Sequence, residues 1–288
     1  MDTLKPYQKK YISNVLYKLN IPETDSNILK HITTIYEYIN KEANYATTTK
    51  RDYLIVLSIL LKKLNQQKAG EYVYEQAKIY SKEHTDNEIR QTLDDNEKCN
   101  YITYNELVMK LEELINIYNN NPTLKNIIKV VVLALYVLQP PIRNDYYNMK
   151  IIYDDYENDK KNNFILIDEK TNIYIILNND KVIKHYGPAD IPILNGQLKS
   201  ILMLYINIFV PNNKYLFQNK NGTPYTKKQI QYIINGLFPN RTLTIYTLRS
   251  SYVCEFYRTH PRLEDRNNLA DKMRHSKAQA EMSYLKFI

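Results

Sequence analysis

The chain has 288 residues, 44% of them hydrophobic, with a mean hydropathy of -0.52 and a formal net charge of +8. This is enough apolar material for one large domain or two ordinary ones. The most apolar stretch, residues 127–138, contains Lys129 and falls short of the roughly 20 residues a bilayer needs, so it reads as a buried helix and no membrane partner is expected.

In chain order, the first third reads as helices. Apolar residues at helical spacing predict a helix over 7–19, ended at Ile21-Pro22. Asp25 or Ser26 can cap a second, reaching about Ile39. Thr47 to Thr49 can cap a third through Leu64, and 69–83 suggests a fourth. Residues 83–97 are polar and acidic and read as a linker, which divides the chain into a helical domain over 1–95 and a second domain over 100–288.

The second domain begins with an amphipathic helix over 104–118, a break at Asn119-Asn120-Asn121-Pro122, and the apolar helix over 124–138. Pro140-Pro141 stops that helix and leaves Arg143 just beyond its end. The pattern then changes to strands at 164–167, 173–177 and within 182–193, with turns at 168–172 and 178–180. Helices are expected over 196–209, 227–237 and 247–257, and from 267 to 274 running on toward the end. The expected class is mainly α with a small antiparallel sheet (α+β).

Charge is unevenly placed. Residues 1–98 carry 15 basic and 14 acidic side chains, whereas 214–277 alone carry 12 basic and 4 acidic. A local basic excess attracts polyanions and releases their counterions, which makes nucleic acid the first candidate partner. The two cysteines, Cys99 and Cys254, form no CxxC pair, fit a reducing compartment and offer no zinc site. The first residues lack the apolar core of a signal peptide, so the expected location is inside a cell. His31, His84, His185 and His260 show no metal-ligand spacing. With 28 Tyr, 6 Phe and no Trp, tyrosine is largely a filler residue here, and identity alone cannot single one out.

The C-terminal residues nevertheless contain an ordered set: Tyr246-Thr247-Leu248-Arg249-Ser250-Ser251-Tyr252, then Met273-Arg274-His275-Ser276, then Met282-Ser283-Tyr284. Cleavage of a phosphodiester without a metal needs a nucleophile, cations for the non-bridging oxygens and an acid for the leaving oxygen. Arginine suits the second task because its planar, permanently charged fork grips two oxygens at once. A tyrosine nucleophile keeps the energy of the broken bond in a phosphotyrosine ester, so the step can be reversed.

This run resembles the tyrosine recombinase (phage integrase) family, whose pattern is HxLRH, then LGHS, then a tyrosine nine residues after that histidine. His275 and Tyr284 are nine apart. By that resemblance Arg249 matches the second family arginine, His275 the histidine and Tyr284 the nucleophile. The gap of 26 from Arg249 to His275 is a few residues long, with 259–268 as the expected loop. Arg143 matches the first arginine, although Pro140-Pro141 and Asp145 depart from the family text TGxRxxE. Lys181, with Lys184 as runner-up, matches the hairpin lysine, which the resemblance makes the general acid. The segment Leu177–Gly187 is similar to integrases of large DNA viruses and their mobile elements, which adds a viral factory to cytoplasm and nucleus as expected locations. Tyr246 stands where the family has His or Lys, and brings a hydroxyl without a charge.

The resemblance implies a site-specific recombinase or integrase acting on double-stranded DNA as a homo-tetramer on paired sites, with no metal or nucleotide cofactor. It implies that residues 1–95 form a core-binding, clamp-like domain. The rival readings are a type IB topoisomerase, which shares the chemistry but pairs no sites, and a degenerate, non-catalytic DNA-binding protein. Only Leu285-Lys286-Phe287-Ile288 stand after Tyr284, so its segment is expected to be mobile and the subunits coupled elsewhere.

Overall fold

The computed structural model describes residues 4–42, 44–90, 93, 95–153, 159–210, 214–276, 278, 281, 284 and 285. The chain divides into two compact units, Met1–Arg90 and Gln91–Ile288.

The first unit is helical: α1 (Pro6–Lys18), α2 (Asp25–Lys30), α3 (Ile32–Lys41), α4 (Thr47–Lys63) and α5 (Gln67–Arg90). Where the sequence predicts one helix up to Ile39 there are two, because α2 stops at His31, which caps it at one end and opens α3 at the other. Helix α5 is longer than expected and carries helical backbone through the first half of the segment read as a linker. The core is centred on α4, whose Leu54, Leu57, Leu60 and Leu61 are fully buried. Helices α4 and α5 approach closely at Gly70. A Cβ there would stand 2.7 Å from Lys62 Cγ and 3.0 Å from the Ser58 carbonyl oxygen, and the Ser58 hydroxyl donates to the Gly70 carbonyl at 2.7 Å.

The second unit contains α6 (Asp95–Asn100), α7 (Tyr104–Asn120), α8 (Leu124–Val137), a 3-10 turn (Asn144–Asn148), β1 (Lys150–Tyr153), β2 (Phe164–Ile167), β3 (Ile173–Leu177), α9 (Ile183–Tyr186), β4 (Ala189–Pro192), α10 (Gly196–Phe209), α11 (Lys227–Leu237), α12 (Ile245–Arg258) and α13 (Leu263–Lys272). Helix α8 is the centre of this unit. It buries every residue from Val130 to Val137 and packs against α7, α10, α11 and α12. Among the described residues no helix is long and apolar enough to cross a membrane.

Three local differences from the sequence reading bear on the site. The sheet has the order β1-β2-β3-β4 and is mixed rather than antiparallel, because the short strand β1 pairs with β2 in parallel. The strand expected within 182–193 is confined to β4 at Ala189–Pro192, and a short helix, α9, occupies the first part of that range. Asp180 captures the Val182 and Ile183 amides with its side chain and carbonyl, starting α9, and Gly187 at φ 65° ends it before β4. The expected loop over 259–268 is largely α13. The Asp265 carboxylate accepts from the Arg262 amide, and Glu264 and Asp265 sit in the first turn, where the helix dipole favours them. That helix stops at Lys272 instead of running on.

The close approach at Gly70 generates a test. Gly70→Val adds two methyls and a branch against a backbone carbonyl, and overpacking of this kind costs about 1–3 kcal/mol. Denaturant unfolding should show the loss, and stability equal to wild type would show that α4 and α5 can move apart freely.

Candidate active site

Helix α13 ends in a turn around which the site is assembled. The Arg274 amide donates to the Asp271 carbonyl at 3.0 Å and the His275 amide to the Ala270 carbonyl at 3.1 Å. With Arg274 at φ 58°, this is the paired-bond helix terminus whose left-handed residue is usually glycine. The turn leaves the carbonyls of Met273 and Arg274 without helical donors, and two arginines supply them. Arg249 Nη2 donates to Met273 at 3.1 Å, and Arg143 Nη1 donates to Arg274 at 2.8 Å. Cationic groups at the negative end of a helix are favoured electrostatically.

Arg249 projects from α12 and is 1% exposed, first among the largest fully buried side chains. Its Nη1 donates to the Pro141 carbonyl at 2.5 Å and its Nε to the Tyr284 hydroxyl at 3.1 Å. Burial pulls its pKa below the ordinary arginine value, yet a guanidinium starts so high that it stays charged. The segment just past α8 therefore touches the site twice, through the carbonyl of Pro141 and the side chain of Arg143.

Tyr284 is 7% exposed and packs with Val253, Leu269 and Met273. The expectation of mobility concerns a segment most of which, residues 282–283 and 286–288, lies outside the described residues. Its backbone carbonyl accepts from the Ser250 hydroxyl at 2.6 Å, and its ring lies 4.8 Å from the Arg249 guanidinium carbon. The His275 ring is 5.3 Å away and the Tyr246 ring 5.2 Å away. By sequence Tyr246 is only a missing charge; the structure adds that its ring covers one side of Tyr284.

His275 is 2% exposed. Its pKa is pushed down to about 4, first by burial and then by the charges of Arg249 and Arg143. The ring is neutral near pH 7. Nδ1 lies 3.1 Å from the Ser276 carbonyl, which can only accept, so Nδ1 carries the proton. Nε2 is buried and, among the described residues, has no hydrogen-bond partner. The ring thus lies beside the Tyr284 phenol with its Nε2 unbonded and two arginine charges near it.

Of the five residues singled out from sequence, Arg143, Arg249, His275 and Tyr284 converge here. Lys181 does not join them directly: it is exposed, at the start of the connection between β3 and β4, and so is Lys184. Two residues that sequence reasoning passes over are close by. Asp180 and Arg274 form a buried ion pair at 3.0 Å, with side chains 3% and 6% exposed. No local pattern pairs residues 94 positions apart; the one available signal is a large charged side chain next to the histidine. Asp145 is largely buried in the 3-10 turn, and its carboxyl pKa is raised by burial and then by the charge of Asp180. Among the described residues, no group of three or more His, Cys, Asp or Glu could hold a metal ion.

No protein-family model matches the chain, and no curated protein does. Among solved structures it is similar to a crystal structure of XerA recombinase, with 12% identity and a TM-score of 0.44 over 98% of this chain and 88% of that one. A superposition that loose does not bear on what individual residues do.

The depressed histidine predicts a pH effect on stability. The unfolded chain takes up a proton near pH 6.5 and the folded site only near 4, so between those values the unfolded state binds more protons. Stability contributed at this position is therefore full above pH 6.5 and is lost as the pH falls toward 4. Denaturant titrations across that window should show a steeper loss for wild type than for His275→Gln. Equal slopes would mean that His275 titrates normally.

Proposed function

We propose that this protein breaks and rejoins double-stranded DNA through a 3′-phosphotyrosyl link to Tyr284, as a site-specific recombinase. The observation that carries the reading is the gathering, at the end of α13, of a buried arginine bonded to the Tyr284 phenol, a second arginine on the same turn, and a neutral histidine beside the phenol with an unbonded nitrogen. Two guanidinium groups beside a buried imidazole repel one another, and an anion placed among them relieves that repulsion.

In the first step the Tyr284 oxygen attacks phosphorus, and its proton passes to His275 Nε2. Arg249 Nε already donates to that oxygen and stabilises it as charge develops. Arg249 uses three of its five N–H groups on Tyr284, Pro141 and Met273, which leaves two for a phosphate oxygen. Arg143 and the newly formed imidazolium serve the remaining charge. The bond to the 5′ oxygen breaks, its electrons leave with that oxygen, and the Lys181 ammonium supplies the proton. A DNA 5′ hydroxyl reverses the sequence and releases Tyr284. No external energy source is required, since one phosphodiester is exchanged for another.

The basic run over 214–277 supports duplex DNA as the substrate by its attraction for backbone phosphate, which carries no information about which bases are read. The family resemblance supports a homo-tetramer on paired sites, with residues 1–95 contributing to the grip on DNA. Products that join two DNAs separate this reading from a type IB topoisomerase, which relaxes supercoils without joining separate molecules.

A nicked suicide duplex tests the chemistry. Wild type should become attached to DNA in a form that survives SDS, and Tyr284→Phe should not. Tyr246→Phe, which removes a hydroxyl but keeps the ring against Tyr284, should retain adduct formation within ~10-fold, a barrier change of about 1.4 kcal/mol. Wild type that forms no adduct on a broad panel of duplexes overturns the enzymatic reading in favour of a DNA-binding protein without catalysis. On the imidazole itself, an NMR titration of His275 should move from a midpoint of about 4 in the free protein to a higher one with DNA bound, because phosphate charge offsets the two arginines. An unmoved midpoint would place the phosphate elsewhere.

A further inference from the structure

Arg274 occupies a left-handed backbone position, φ 58°, that glycine adopts without strain and arginine does not. The helix terminus would form equally well with glycine there, so the turn does not explain the side chain. The contacts of the side chain do. Nε and Nη2 hold the two Asp180 carboxylate oxygens at 3.0 and 3.3 Å, and Nη2 also donates to the Gly187 carbonyl at 2.5 Å. The guanidinium carbon lies 5.7 Å from the Tyr186 ring centroid. Asp180 and Gly187 stand near the two ends of the connection from β3 to β4, so one guanidinium closes that connection like a clasp. Lys181 is the residue immediately after Asp180. On its backbone side, Arg274 accepts from Arg143 and precedes His275.

We propose that Arg274 and Asp180 are positioning residues for the leaving-group step: their ion pair sets the segment carrying Lys181 in register with Arg143 and His275. This rests on the strand-transfer reading, in which Lys181 is the acid. Lys181 is exposed, and among the described residues no hydrogen bond or ion pair holds it, so its reach toward the 5′ oxygen is limited by the backbone on which it stands. Asp180 anchors that backbone on both sides of its charge, since its Oδ1 also accepts from the Val182 amide at 3.2 Å. The ion pair is nearly dry, and a dry pair loses much when one partner is removed, because the other charge is left buried and alone. Opening the clasp would therefore expose two buried charges at once.

The test uses Arg274→Gly and Asp180→Asn in the full chain, with a thermal melt to check folding. Glycine suits the left-handed turn, so Arg274→Gly removes the clasp while keeping the helix terminus. Two nicked duplexes are compared, one ordinary and one whose scissile 5′-bridging oxygen is replaced by sulfur. A thiolate leaves without a proton, so the second substrate does not need the acid. Both variants should form adduct ~100-fold more slowly than wild type on the ordinary duplex, in the range general acid catalysis commands, and within threefold, roughly, of wild type on the sulfur duplex. Lys181→Ala should show the same pattern, and adding Arg274→Gly to it should cost little more on ordinary DNA.

Equal slowing on both duplexes, or no slowing on either, overturns the proposal. An Arg274→Gly protein that fails to fold leaves the decision to Asp180→Asn, which keeps the shape and one acceptor but removes the charge. If wild type forms no adduct on either duplex, the strand-transfer reading itself fails. That outcome is distinct from a working enzyme in which the clasp has no role.

Discussion

A guanidinium shut away from water must find fixed acceptors for its donors, and Arg249 finds them on three separate stretches of chain. Pro141 comes just after the central apolar helix, Met273 ends the helix α13, and Tyr284 lies near the last residue. Removing any one of these acceptors would leave a buried donor unsatisfied, and the cost of that exceeds the modest net gain of an ordinary hydrogen bond. The geometry of these three stretches is therefore set by one side chain. The same requirement fits the stop of α13 at Lys272: a helix running further would bond the Met273 and Arg274 carbonyls internally, taking one of the three acceptors of Arg249 and the carbonyl that Arg143 holds.

The turn after α13 thus does several things with three residues. Its free carbonyls gather two positive charges at the negative end of a helix dipole, its left-handed residue reaches out to close the connection carrying Lys181, and its next residue presents an imidazole. The gathered charge then acts on that imidazole. Burial and two neighbouring arginines hold His275 neutral. In the proposed reaction that neutrality leaves a nitrogen for the Tyr284 proton, and the phosphate adds the negative charge that the resulting imidazolium needs.

Tyr284 is packed rather than loose. Its backbone is tied to Ser250 and its ring lies against Arg249, His275 and Tyr246. An aromatic ring at Tyr246 gives up the positive charge of a lysine or histidine there and supplies a flat surface that restricts the neighbouring phenol. In the proposed reaction, restricting Tyr284 would lower the entropy lost when it attacks, a gain in positioning set against the missing charge.

Much of the fold could be read from the chain alone, because helices and strands obey short-range rules. Apolar spacing and caps located α10 and α11 to the residue and β2 and β3 likewise. The order and offsets of Arg143, Lys181, Arg249, His275 and Tyr284 were also written in the sequence, as was the excess of positive charge beside them. Tertiary structure decided the rest. It made β1 a parallel partner of β2, stopped α13 short, buried Tyr284, and set the protonation of His275. It also paired Asp180 with Arg274, and Arg249 with the Pro141 carbonyl 108 positions away. The physical reason is range. Dihedral preference and amphipathic spacing act over a few residues, whereas desolvation and the matching of buried donors to acceptors depend on which distant segments meet. Composition and spacing do not encode that.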